Sequence, residues 1–248
     1  MKIAYTKNEI SELILRDNIG VNSDINLINI EQDEIVKKLS NGLIEAALVD
    51  PITYSKLKKN NDVRIIPCSV LFLEDYTNTL GLNITSESSE LNKLSLPFKS
   101  DYLYQISKLL LAERYQITIM DVPSMGGSEI VVNNELATLD ISEDWYESFK
   151  LKLPLLFWVV KFDDGKVLVE DYVNLFNSIS LTQDEVFSTD DQTRQGRIIR
   201  RWDNECEESL DETLELLFYH NLVDELFCSK LYSNDEDVEL NDEEVIIK

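Results

Sequence analysis

The sequence predicts an α/β protein of two lobes, and three observations lead there. Short apolar runs alternate with helical patterns from the first residues, an order that builds mainly parallel sheets with helices on their faces. This repetition breaks after Leu73, and the apolar run Leu153–Lys161 looks like a strand that carries the chain back. At 248 residues, 44% of them hydrophobic, the chain is long enough for one large domain or two modest lobes.

Taken in order, Lys2–Tyr5 reads as a strand, Glu9–Arg16 has helical spacing, and Ile25–Ile30 alternates as a second strand. Asp33 suits the cap of a helix carrying Ile35, Val36, Leu39 and Leu43, with Gly42 as its terminator. Ala46–Val49 is a buried strand that ends at Asp50-Pro51, and a capping Asp followed by Pro marks the start of a helix over Ile52–Lys59. Val63–Leu73 returns to strand. A second unit follows with strands at Leu80–Ile84, Lys93–Phe98 and Glu129–Val132. Its helix is capped by Ser100 and carries Leu103, Ile106, Leu109 and Leu110 on one stripe. Beyond Leu153–Lys161 the pattern reads as helical at Glu170–Ser180, Gln183–Thr189 and in a final pair over Arg194–Tyr232. Crossings are expected near Tyr76–Leu80 and Val160–Asp164. They place 1–78 with 163–248 in lobe one and 79–162 in lobe two. The segment Ser233–Glu244 is mostly acid and amide and reads as a solvated end.

Charge narrows the partners. Against 47 Asp and Glu stand 23 Lys and Arg, a formal charge of −24, which repels phosphate backbones and anionic bilayers. Neither a nucleic acid nor a membrane partner is expected, and no apolar run approaches the roughly 20 residues of a spanning helix. Cys68, Cys206 and Cys228 are an odd, widely spaced set that fits free thiols. Together with an N-terminus that lacks an export signal, they point to the cytoplasm.

Phosphate loops, nucleophile elbows and metal-binding motifs are absent from the sequence, so neither a cofactor nor a metal is expected. The single histidine, His220, lies in an apolar helical pattern and has no partner pattern. Arg194, Arg197, Arg200 and Arg201 form the one basic cluster, and the flanking acids Asp190, Asp191, Asp203 and Glu205 point to intramolecular ion pairing. Ligands of open α/β sheets collect where strands run into helices. Three such places stand out: Tyr5-Thr6-Lys7-Asn8, Asp50-Pro51-Ile52-Thr53 and Phe98-Lys99-Ser100-Asp101. A helix N-terminus suits a carboxylate, and Lys7 and Lys99 add full positive charge unless they are ordinary surface lysines.

The stretch LDISEDWYE at Leu139–Glu147, followed by LPLLF at Leu153–Phe157, resembles the DLGEEWYEWTGLPFVFA segment of the chorismate dehydratase family. Lys2–Asn8 is similar to that family's RVSYLNT strand, and NGLIEAALVDPITY at Asn41–Tyr54 to its GELDVALVPSIEY. LLLAERY at Leu109–Tyr115 is similar to the family's second-lobe helix, and Thr213–Tyr232 to its C-terminal helices. The resemblance implies a type 2 periplasmic-binding-protein-like clamshell with a ligand cleft between its lobes. It also implies elimination of water from chorismate to give 3-[(1-carboxyvinyl)oxy]benzoate in menaquinone biosynthesis.

Carried over residue by residue, the resemblance gives Thr79 for a family Ser, and Lys7 or its neighbour Asn8 for a family Asn, as the catalytic groups. Tyr5, Thr53, Lys99, Ser100, Asn133 and Asn134 would line the ligand. The family's Thr-Ser pair falls on Tyr102-Leu103, and its IGD motif becomes Val132-Asn133-Asn134. Two functions stay open on these residues. One is a hydro-lyase acting on chorismate, and the other is a non-catalytic binder of, or accessory for, a small chorismate-like anion. Oligomeric state is not legible.

Overall fold

The computed structural model describes residues 1–16, 25–84, 93–95, 101–119, 128–132, 137–162 and 167–233. The strands are β1 Lys2–Tyr5, β2 Asn26–Asn29, β3 Ala46–Val49, β4 Val63–Asp75, β5 Leu80–Asn83, β6 Leu94–Ser95, β7 Ser128–Val132, β8 Leu139–Asp140, β9 Leu153–Lys161, β10 Glu185–Ser188 and β11 Gln195–Arg201. The helices are α1 Glu9–Glu12, α2 Gln32–Ser40, α3 Pro51–Lys58, α4 Asp101–Tyr115, α5 Ile141–Phe149, α6 Val169–Ile179 and α7 Asn204–Tyr219.

Two sheets result. The larger runs β10-β11-β4-β9-β3-β1-β2 and the smaller β6-β7-β5-β8. Helices form where the sequence supplies a start. Asp50 caps α3 by accepting the Thr53 N–H at 2.7 Å with Pro51 in the first turn, and Asp203 accepts the Cys206 N–H at 2.7 Å to open α7. Gly42 follows α2 at φ +67°, the left-handed region that glycine enters without strain.

Several expectations need correction. The sheets are mixed rather than mainly parallel: β1 pairs in parallel with β2 and β3, whereas β3–β9, β9–β4, β4–β11 and β11–β10 are antiparallel. The βα repetition does send β1 to β4 in one direction, but β9 inserts between β3 and β4. It enters from the edge where those strands leave, so it runs against both. Strand β9 therefore belongs to the larger sheet, and the chain returns from β8 through α5 rather than near Val160–Asp164.

Gln183–Thr189 and Arg194–Arg201 are not helical. They form a β10–β11 hairpin, and the final helical pair reduces to α7. Strand β10 is the sheet edge and is mostly exposed, so it lacks the buried alternation by which a strand is recognised. The arginines do form ion pairs, but with acids far away in sequence: Arg194 with Glu143, Arg197 with Glu74 and Arg200 with Glu185. Asp33 lies inside the first turn of α2, which Glu31 precedes as the cap residue. Cys68 and Cys206 are buried free thiols and Cys228 is exposed. No helix among the described residues is long and apolar enough to cross a membrane.

Candidate functional site at the seam between the sheets

Strands β1, β2 and β3 are parallel, so Tyr5, Asn29 and Val49 end on one edge of the larger sheet. The register joins Val49 to Phe157 and Phe157 to Val70, so β4 runs on past that edge for five residues before crossing to β5. The smaller sheet therefore lies beyond the strand ends, where α1 and α3 also begin. At this seam Lys56 of α3 sits 3.6 Å from Asp101 at the start of α4 and 3.7 Å from Asp33 of α2.

Asp50 lies on the first-lobe side and is buried. Besides the Thr53 N–H it accepts a hydrogen bond from the Gln32 side-chain amide. Burial pushes its carboxyl above the ordinary aspartate range, against the pull of the Thr53 and Gln32 hydrogen bonds and the Lys56 charge. Tyr102 of α4 approaches from the second lobe and is 1% exposed. Burial first, and then the charge of Asp50, raise its phenol well above the ordinary value, which places the two side chains within electrostatic reach. The Tyr102 hydroxyl has no hydrogen-bond partner among the described residues. A buried hydroxyl left unpaired costs about 1–3 kcal/mol. Tyr102→Phe is accordingly expected to raise the stability of the ligand-free protein by about 1 kcal/mol. A denaturant midpoint checks this, and a lower midpoint would mean that the hydroxyl is satisfied within the protein.

The residues singled out by sequence are placed as follows. Tyr5 is half-buried at the end of β1, and Lys7 is exposed with its backbone N–H donating to Asn29 Oδ1 at 2.8 Å. Asn8 caps α1: its side-chain oxygen accepts the Ser11 N–H at 2.9 Å, and its own N–H donates to Ser11 Oγ at 3.0 Å. Thr53 is buried and serves Asp50. Thr79 is buried in the crossing, where its hydroxyl donates to the Thr77 carbonyl at 3.2 Å. Lys99, Ser100, Asn133 and Asn134 lie outside the described residues. The seam thus brings Tyr5, Asn8 and Thr53 to one edge and adds two groups not chosen from sequence, Asp50 and Tyr102. The signal for Tyr102 was its alignment with the family's hydroxyl pair.

The crossing is tied together by hydrogen bonds. Asp140 accepts from the Asn78 N–H at 2.7 Å, the Glu143 N–H at 3.0 Å and the Ser142 hydroxyl at 2.5 Å, while Ser142 Oγ lies 2.8 Å from Thr77 Oγ1. Both passages between the sheets, 76–79 and the β8–α5 junction, share this cluster. Arg194 covers the Tyr76 ring at 3.9 Å and pairs with Glu143, so the β11 end also grips the crossing. Among the described residues, no group of three or more His, Cys, Asp or Glu could hold a metal ion.

No family model matches the sequence, and no curated protein matches it. Solved structures do. An ABC transporter structure from Parabacteroides distasonis is 9% identical, with 95% of this chain and 99% of that chain covered at a TM-score of 0.58. The periplasmic aliphatic sulphonate binding protein SsuA from Escherichia coli is 8% identical over 99% and 98% of the two chains, at a TM-score of 0.48. Protein AF1704 from Archaeoglobus fulgidus is 12% identical over 89% and 77%, at 0.41. The fold is a two-lobed α/β clamshell like that of type 2 periplasmic binding proteins.

Proposed function

We propose that the protein binds a small carboxylate in the cleft between its lobes and holds it without turning it over. The observation that carries this reading is the Tyr102 hydroxyl, buried at the seam and without a hydrogen-bond partner among the described residues. A buried donor without an acceptor is one that a ligand can complete. Asp50 already accepts the Thr53 N–H and the Gln32 amide, which leaves the Tyr102 hydroxyl as the donor for a ligand carboxylate. Lys7, at the end of β1, supplies positive charge on the first-lobe side. The family resemblance makes chorismate the first carboxylate to try.

The lyase reading draws on that same resemblance, which runs along nearly the whole chain. Elimination from chorismate would need groups that hydrogen-bond or move a proton at the ring, since only interactions stronger in the transition state accelerate the step. Two of the groups nominated for that work are engaged elsewhere: the Asn8 side chain in its capping box and the Thr79 hydroxyl on a carbonyl. This favours binding over turnover.

Calorimetric titration with chorismate, run beside an assay for chorismate loss and carboxyvinyloxy-benzoate formation, tests both. The expected result is binding that weakens about tenfold in Tyr102→Phe, with no product. Product that disappears in Thr79→Val would establish the lyase instead. Absence of binding would overturn the carboxylate reading.

A further inference from the structure

A cavity lies away from the seam, at the opposite end of β3. It measures about 480 Å³, a small-molecule size, and is lined by Glu45, Lys161, Phe162, Tyr172 and Tyr232, with Gly42, Ile44 and Val167 completing it. The walls are aromatic. Phe162 and Tyr232 rings meet edge-on with centroids 5.5 Å apart, and Tyr172 and Tyr232 do so at 5.4 Å. The Tyr232 hydroxyl is spent on the Val167 carbonyl at 2.8 Å, so this ring presents an apolar surface.

The two charged residues are the informative pair. The register that joins Ala46 to Val160 puts Glu45 directly opposite Lys161 across the β3–β9 ladder, where opposite charges ordinarily neutralise each other. Here each is turned to a backbone group instead. A Glu45 carboxylate oxygen accepts the Lys2 N–H, and the Lys161 ammonium donates to the Ser40 carbonyl at 3.1 Å. Each retains capacity: the carboxylate has a second oxygen and the ammonium has further N–H donors. Among the described residues neither has a partner of opposite charge, so an acid and a base stand side by side on a cavity whose remaining wall is apolar and largely aromatic.

We infer that this cavity binds a zwitterion with an apolar body, of the free α-amino-acid class. Glu45 receives the ammonium, Lys161 the carboxylate, and the Phe162, Tyr172 and Tyr232 rings the side chain. Each end of such a ligand meets its opposite charge, and neither protein group loses its backbone bond. The site is independent of the seam, because Glu45 precedes β3 whereas Asp50 follows it.

The test is titration calorimetry of the whole chain with L-phenylalanine and L-leucine, and with two half-charged probes, phenylpropionate and phenethylamine. L-Phenylalanine is expected to bind at least about tenfold more tightly than either half-charged probe, since each lacks one charge-assisted contact. Glu45→Gln should weaken L-phenylalanine about tenfold and leave phenylpropionate unchanged, while Lys161→Met should do the converse with phenethylamine unchanged. Both positions are exposed, so neither variant threatens the fold. No heat from L-phenylalanine or L-leucine at millimolar concentration would overturn the inference. So would equal affinity for all three phenyl probes, or L-phenylalanine binding that responds to Tyr102→Phe and not to Glu45→Gln.

Discussion

Gly196→Ala is expected to lower the thermal midpoint by about 6–12 °C, corresponding to about 3 kcal/mol in a chain of this size. Gly196 sits in β11 opposite Asp75, where the last residues of β4 turn into the crossing. A Cβ there would lie 2.3 Å from the Tyr76 carbonyl oxygen, 2.5 Å from that of Glu74 and 2.6 Å from the Tyr76 nitrogen. All three are backbone atoms, so no side-chain rotation relieves the overlap. Either β11 separates from β4 or the crossing shifts. Differential scanning calorimetry measures the midpoint, and a fall of less than about 2 °C would show that the hairpin can slide away from the crossing. Because Arg194, just ahead of β11, holds Tyr76 and Glu143, the variant is also expected to loosen the grip on both passages between the lobes.

Trp158→Ala is expected to cost about 5 kcal/mol, a large share of the 5–15 kcal/mol that ordinarily separates folded from unfolded domains. Its ring is fully buried in the middle of β9 and stacks on Phe176 at 4.6 Å with planes 5° apart. The indole N–H lies 3.2 Å from both Ser69 Oγ and Ser180 Oγ, each itself fully buried. Truncation opens a cavity and orphans two hydroxyls together. Trp158→Phe keeps most of the ring and loses the N–H, so a smaller loss of about 1–2 kcal/mol should follow. Urea midpoints for the pair separate the two contributions. Equal losses would mean that the hydrogen bonds dominate and the packing argument fails.

How far the sequence discloses this molecule depends on how local each signal is. Strand β9 and helix α3 were legible to within a residue, because an unbroken apolar run and an Asp-Pro start are both contained in the element itself. Pairing was not local. Nothing within Leu153–Lys161 says that it will insert between β3 and β4, and that single insertion turned the expected parallel ladder into antiparallel pairs. Charged edge strands were invisible for a related reason: the arginines in and just before β11 find their acids on β4, β10 and α5, so flanking sequence named the wrong partners. At the seam, residue type told what Asn8 and Thr53 could do but not that capping would already occupy them. Asp50 was read as a cap and is one. That Tyr102 comes within electrostatic reach of it depends on where α4 comes to rest.

One apolar cluster runs without a break from Ile3, Ile10 and Ile52 in the larger lobe to Leu80, Leu82, Ile130 and Trp145 in the smaller. The consequence concerns cooperativity. Lobes with separate cores can melt one after the other, each as its own unit. Here the smaller sheet is completed by side chains that the larger one supplies, so parting the two exposes apolar surface on both. Loss of either lobe therefore removes the support of the other, and the chain is expected to unfold as one unit.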